Sequence, residues 1–292
     1  MNSPLEAFQP IRISSAPKHE KKRPHLWPFF LFLCLVALVY LFAPLRTNIL
    51  VLGVDAGLER GELGRSDTII LATVSPLEPY VGLLSIPRDL WLPIPGVGEN
   101  RINTAYFFAE AQKKGSGPRA AADIIRQNFH VTVNNTVVLR MDGLADLVDA
   151  LGGVQVTLEK PVSGYAAGSY DFNGQQALAF TRSRAGSDDF SRMAQGQILL
   201  KALMRRLLQP KNWARLPEIW QALDAAVDLD VPIWQWPRLG LALLRAGPDG
   251  IDGRTITRDM VTPFTTNQGA QVLAPRWEAI NPLLDEMFRS VK

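Results

Sequence analysis

Cysteine is almost absent: Cys34 stands alone in 292 residues, so no intramolecular disulfide can form and a core must hold the fold. Histidine is equally scarce. His19 and His25 fall in the N-terminal tail, leaving only His130. That excludes a histidine-built zinc site, and a Ser-His-Asp triad unless His130 serves it. Between a helical stretch and a turn, His130 reads as an ordinary half-buried side chain. A global charge excess is also lacking. Residues 1–25 carry five basic and two acidic side chains, which accounts for the whole net charge of +3. The remaining 26 basic and 26 acidic groups balance, so any positive field beyond the tail is local, and a nucleic-acid surface is disfavoured. No internal repeat and no long low-complexity segment occurs. The glycines at 57, 61 and 64 form no Walker motif, because no Gly-Lys-Ser/Thr follows them.

Hydrophobicity is plentiful, at 47% apolar residues, and it is unevenly spread. Residues 26–45, LWPFFLFLCLVALVYLFAPL, contain no charge. At 1.5 Å per residue, about 20 helical residues span roughly 30 Å, the thickness of a bilayer core. The basic cluster precedes this run, so an uncleaved signal anchor would leave 1–25 in the cytoplasm and send 46–292 outside. A cleaved signal peptide and a buried helix are the alternatives.

The polar chemistry gathers at 65–89, RSDTIILATVSPLEPYVGLLSIPRD. Two apolar runs flank SPLEP, which predicts two buried antiparallel strands joined by a short turn. Such a hairpin brings Arg65 and Asp67 beside Arg88 and Asp89. Guanidinium forks next to carboxylates suit a phosphorylated group and a metal ion, although two strand-end salt bridges are the plainer reading.

Before the hairpin, TNILVLGVD reads as a strand buried on both faces and ending at Asp55. After it, PIPGVGENRIN reads as turns. Helices are expected over INTAYFFAEAQ, over PRAAADIIRQNF opened by Pro118, and over DGLADLVDALGG with Asp142 as N-cap and Gly152 as stop. TVVLRM and VQVTL read as strands. Strands alternating with helices predict a layered α/β sandwich. A second basic stretch, NGQQALAFTRSRAGSDDFSRMAQGQ, holds Arg182, Arg184 and Arg192. A helix starting near Asp188 would put Asp188, Arg192 and Gln195 on one face, with Phe190 and Met193 turned to the core. From about 209 the pattern is mainly helical, with a strand at RTITRDMV. Trp213, Trp220, Trp234, Trp236 and Trp277 read as packing, in the core or facing a membrane, rather than as a cofactor box.

The ordered strings NILVLGVD, RSDT, LLSIPRD, RINTAY, LVDALGGV, NGQQALAFTRSR and DDFSR together resemble the LytR-CpsA-Psr family over about residues 48–205. The resemblance implies a three-layer α/β/α sandwich with a central mixed sheet behind one N-terminal transmembrane helix. It implies an extracytoplasmic domain at 46–292 and an apolar tunnel for a polyprenyl chain. The implied activity is a phosphotransferase moving a glycopolymer from an undecaprenyl-pyrophosphate carrier to peptidoglycan, with Mg²⁺, or Mn²⁺, assisting and pyrophosphate hydrolysis as a side reaction. By motif position, Asp55 and Asp67 are the metal ligands. Arg65, Arg88, Arg182, Arg184, Arg192, Gln195 and Gln197 contact the pyrophosphate, and Arg88 with Asp89 forms the catalytic pair. Many relatives read Arg-Gln-Gln where this chain has Gln195-Gly196-Gln197, a departure that removes one positive charge. Competing functions are a non-catalytic carrier binder, motivated by that departure, and a membrane-anchored transcription regulator. The 25-residue tail is too short for a folded DNA-binding module.

Overall fold

The run TNILVLGVD forms β1 (Thr47–Asp55), and its apolar residues go to both faces of the sheet. Leu50, Leu52 and Val54 enter one core, while Ile49 and Val51 pack on the other side. In this computed structural model the described residues are 27–43, 45–55, 64–77, 79–141, 143–183, 189–247 and 250–288, excepting the side chains of 189 and 213. The basic tail, most of the glycine loop at 56–63, Asp142, and Arg184 with Asp188 lie outside them.

The chain divides into two units, Met1–Val39 and Tyr40–Lys292. The described part of the first belongs to α1 (Trp27–Phe42), a wholly apolar helix with no buried residue. Among the described residues no helix is long and apolar enough to cross a membrane.

In the second unit β2 (Arg65–Ser75) pairs antiparallel with β1, and β3 (Tyr80–Ser85) pairs antiparallel with β2, as the two apolar runs predict. The segment read as turns instead forms a small hairpin of β4 (Trp91–Ile94) and β5 (Gly98–Arg101). Its alternation of Leu92 and Ile94 inward is only three residues long, too short to stand out from turn residues. Next come α2 (Thr104–Gln112) and α3 (Gly117–Phe129), the latter opened by proline as expected. His130 is exposed rather than half-buried: it closes α3 in the left-handed region at φ 54°. β6 (Asn135–Arg140) joins the sheet parallel to β1. α4 (Leu144–Ala150), β7 (Val154–Leu158), β8 (Gly168–Phe172) and α5 (Gly174–Arg182) follow, with β7 and β8 forming a second hairpin. The long α6 (Asp189–Leu207) leads to α7 (Leu216–Ala226), β9 (Val227–Leu229) and α8 (Trp236–Ala246).

The segment after 209 is more than helical. It supplies both edges of the main sheet, β9 and β10 (Ile251–Thr255), and the RTITRDMV stretch breaks between β10 and β11 (Val261–Thr265). β11 pairs with β12 (Gln271–Pro275) before α9 (Trp277–Phe288). The order β10-β3-β2-β1-β6-β9 is a six-stranded mixed sheet. α2, α3 and α9 cover one face, while α6 and α8 cover the other, so the described domain has the expected three layers. Trp277 packs edge-on against Phe129. Trp220 and Trp234, by contrast, are 50% and 59% exposed and so depart from core packing.

An edge strand needs cover, and β10 receives it from α9. Arg254 makes two bonds to Glu286, at 2.7 and 2.6 Å, and reaches Asp252, which also accepts from the Tyr80 hydroxyl. The Arg254 bonds hold the Glu286 carboxyl below its ordinary value of 4.5. A carboxyl lowered in the fold contributes stability that is complete above its unfolded value and lost as pH falls through the folded one. Glu286→Gln should therefore lower the melting temperature at pH 7. Thermal unfolding measured down the acid range should show that difference begin to shrink near pH 4.5 and go on shrinking as the pH falls.

Candidate functional site

The sheet converges its charged residues at one edge. β1 ends at Asp55, which lies opposite Arg65 in register, just past a bulge at Gly53/Val54. Bulges re-aim the side chains that follow them. Arg65 stands over the Phe107 ring at 5.7 Å, a cation–π contact that holds the exposed guanidinium beside the strand. Two residues along β2, on the same face by strand periodicity, is Asp67.

Arg88 and Asp89 are fixed by their neighbours. Ile86 and Leu90, 1% and 0% exposed, anchor the segment on either side. Main-chain bonds from Ile86 to Ile69 and from Leu90 to Pro87 tighten the turn between them. The two charged side chains are left no route but the sheet edge. Arg88 donates to Asp67 Oδ1 at 2.7 Å, and its Nε lies 3.8 Å from Asp89 Oδ2. The other oxygen of Asp89 is 2.9 Å from Arg101 Nε. Asp67, Arg88, Asp89 and Arg101 thus form one alternating chain of charge.

Arg101 is the residue that sequence reasoning missed. It ends β5, opposite Trp91, so its place beside Asp89 depends on the small hairpin that was read as turns. The signal was present in RINTAY, where the arginine opens one of the ordered strings.

Arg182 closes the cluster from the helical side. α5 begins with a capping box of Asn173 and Gln176 and ends at Arg182, whose NH2 donates to Asp55 Oδ1 at 2.9 Å. A cation in the last helical turn also suits the helix dipole. Burial grades across the cluster. Arg88 and Asp89 are 22% and 25% exposed, whereas Asp55 and Arg182 are 39% and 49% exposed. The first pair forms the floor and the second the rim. Arg192 lies half-buried in the first turn of α6. One turn further on, a Cβ at Gly196 would come within 3.1 Å of Thr68 Cγ2, so this end of the helix lies against the start of β2.

Gln195 and Gln197 are not among the exposed charges. Gln195 is fully buried and donates to the Phe180 carbonyl at 2.8 Å. Gln197 donates to the carbonyls of Leu83 and Arg254, at 2.9 and 2.8 Å. Each amide pins α6 to the domain. Beneath the cluster, a narrow apolar seam of about 30 Å³ runs between α6 and the sheet, lined by Gly53, Thr68, Met141, Thr181, Gly196 and Leu200 among others.

Residues 44–288 match the LytR_cpsA_psr family. The polyisoprenyl-teichoic acid–peptidoglycan teichoic acid transferase TagU of Enterococcus faecalis is 28% identical over 227 residues, covering 74% of this chain and 73% of its own. TagU of Oceanobacillus iheyensis is 34% identical over 194 residues, 63% of this chain and 58% of its own. Among solved structures, B. subtilis TagV superposes with a TM-score of 0.68 at 24% identity, covering 85% of this chain and 99% of its own. TagT bound to LIIa-WTA superposes at 0.64 and 19% identity, covering 84% and 91%. These likenesses establish the shared fold.

Replacing the buried glutamines separates structural from ligand roles. Gln197→Met removes two buried hydrogen bonds and should cost about 1–3 kcal/mol of stability. Denaturant unfolding should register that loss at Gln197 and a smaller one at Gln195→Met. Full stability in either variant would return that glutamine to the list of ligand contacts.

Proposed function

The chain belongs to the LytR-CpsA-Psr family, and on that premise we propose that it is a phosphotransferase moving a glycopolymer from a polyprenyl-pyrophosphate carrier onto peptidoglycan through a phosphodiester bond. The observation that carries this reading is the adjacency of clamp and seam. Asp55, Asp67, Arg182 and Arg192 stand one to four residues from the seam residues Gly53, Thr68, Thr181 and Gly196. A ligand with an anionic head and an apolar tail matches that pairing. At 30 Å³ the seam is far too small for a prenyl chain as it stands, so binding requires α6 to separate from β1 and β2. The glycines at 53 and 196 keep bulky side chains out of that gap. The relatives named as teichoic acid transferases support the same substrate class.

Charge accounts for the chemistry. An acceptor hydroxyl oxygen attacks the sugar-proximal phosphorus, and the bond from that phosphorus to the bridging oxygen breaks. Polyprenyl phosphate departs with the bond's electron pair, and the hydroxyl proton goes to solvent or a carboxylate. Negative charge grows on the bridging oxygen and on the equatorial phosphate oxygens, where fixed guanidinium donors stabilise it most. Arg88, at the floor, is the donor best shielded from water. Both oxygens of Asp89 face guanidiniums, so Asp89 orients Arg88 rather than taking the proton.

Among the described residues no group of three or more histidine, cysteine or acidic side chains gathers to hold a metal. Asp55 and Asp67 supply two oxygen donors, which fits a magnesium ion that keeps several of its waters. Bound there, the ion would neutralise phosphate charge as a Lewis acid. Each carboxylate is now paired with an arginine, so ligand binding exchanges partners: the arginines turn to phosphate and the carboxylates are released.

The same reading makes α1 part of a single-pass anchor that extends beyond the described helix. Its unbroken apolar surface and the basic residues before it support this, with the domain from 46 outside the cell membrane.

Full-length protein supplied with a short-chain polyprenyl-pyrophosphate-linked sugar and an acceptor glycan should release polyprenyl phosphate, faster with Mg²⁺. Arg88→Ala should lower kcat roughly 100- to 1,000-fold, and Asp67→Ala should abolish the metal response. Carrier binding that is lost in Arg88→Ala, without any release by the wild type, would make the chain a binder and not a transferase.

A further inference from the structure

α6 has a second face, turned away from the seam. Ala194, Ile198, Lys201 and Arg205 recur on it at helical spacing and line a cavity of about 360 Å³. The outward side chains of β7, Gln155 and Thr157, line the same cavity. Gln155, Thr157, Ala202 and Arg205 also line a second cavity of about 230 Å³. That one shares Gln155, Asp171 and Arg206 with a third, of about 460 Å³. The three cavities share lining residues and lie in succession beside α6, as a segmented groove. Along α6 it runs from Ala194 to Arg206, about 18 Å at 1.5 Å per residue.

We propose that this groove binds the anionic glycopolymer carried by the donor, holding its sugar and acid groups as they leave the pyrophosphate clamp. The inference deepens the proposed transferase reading and rests on it. Proximity is the first argument. Thr255 on the groove's wall pairs with Ser85, the last residue of β3 and three residues before Arg88. A chain covalently tied to a clamped phosphate has the groove beside it.

Charge is the second argument. Beyond the N-terminal tail the chain is electrically balanced overall, yet Lys160, Lys201, Arg205, Arg206 and Lys211 line this groove against Glu159, Asp149 and Asp171. Cations outnumber carboxylates five to three along it, a local excess in a region that is balanced overall. Lys201 is half-buried against β10, its Nζ 2.3 Å from where a Cβ at Gly253 would stand. Burial pushes the Lys201 ammonium down from its ordinary value and Arg205 pushes it further, with Asp252 and Glu159 opposing. An anion in the groove would offset the repulsion between Lys201 and Arg205. Between the cations, Gln155, Thr157, Asn173, Gln176 and Gln209 offer hydrogen bonds to sugar hydroxyls.

The test uses the full chain and three lipid-free probes: a glycerol-phosphate oligomer, a neutral dextran of equal length, and solubilised peptidoglycan strands. The glycerol-phosphate oligomer should bind with an affinity that falls as salt rises, and dextran should not compete. Lys201→Gln with Arg205→Gln should weaken binding roughly three- to tenfold, Lys201→Arg should restore it, and Thr157→Glu on the facing strand should weaken it without touching α6. In turnover, the glutamine pair should raise the ratio of KM for a polymer-bearing donor to KM for a single-sugar donor by the same factor. Equal binding of dextran, binding of peptidoglycan strands alone, or a KM ratio unmoved by both sets of variants would overturn the groove assignment. If the wild type leaves the single-sugar donor untouched, the transferase reading fails separately, because oligomer binding is read without turnover.

Discussion

Four arginines crowded on one sheet edge would repel one another, and the three carboxylates threaded between them are what make the arrangement stable. Two like charges 4 Å apart near a protein surface interact by about 4 kcal/mol at an effective dielectric of 20. The alternation Asp67, Arg88, Asp89, Arg101, with Asp55 and Arg182 alongside, converts that repulsion into attraction. The cluster is thereby held in place before any ligand arrives, and its guanidiniums need not be ordered at the moment of reaction. On the proposed reading, the carboxylates serve as placeholders for phosphate.

α6 connects this cluster to the rest of the molecule. Its first turn carries Arg192, one stripe lies over the seam through Gly196, Leu199, Leu200 and Leu203, and another walls the basic groove. Gln195 and Gln197 pin the helix at its start by bonds to main-chain carbonyls. Arg206 holds the far end of the helix by bonds to the Leu151 and Gly152 carbonyls. Gln195 secures the helix from inside, and Gly196 admits the close approach to Thr68.

Much of this was legible in the sequence because it rested on long, uniform patterns. The two apolar runs around SPLEP and the run before Asp55 were long enough to declare three neighbouring strands, and hairpin geometry then brought Arg65, Asp67, Arg88 and Asp89 together. Arg101 escaped because β4 and β5 are four residues each and rich in glycine and proline, so their pairing is dictated by Leu90 and Leu92 packing beneath them rather than by local pattern. β8 escaped likewise, being glycine-led and mostly exposed. Helical spacing put Gln195, but not Gln197, on the face of Arg192, and both were expected at the pyrophosphate by motif position; the tertiary packing turns both amides to main-chain carbonyls. Trp220 and Trp234 depart from the core alternative of their reading, since apolar character alone does not say whether a side chain is covered.

The central claim is that the ion pairs at the sheet edge exchange their partners for pyrophosphate while α6 parts from the sheet. A crystal structure of the protein with a short prenyl pyrophosphate tests it directly. The account predicts phosphate oxygens within hydrogen-bond distance of Arg88 and Arg182, the Asp67–Arg88 and Asp55–Arg182 pairs opened beyond 4 Å, and the prenyl chain lying between Gly196 and Gly53. A diphosphate bound elsewhere, with both ion pairs closed and the seam still empty, would contradict it.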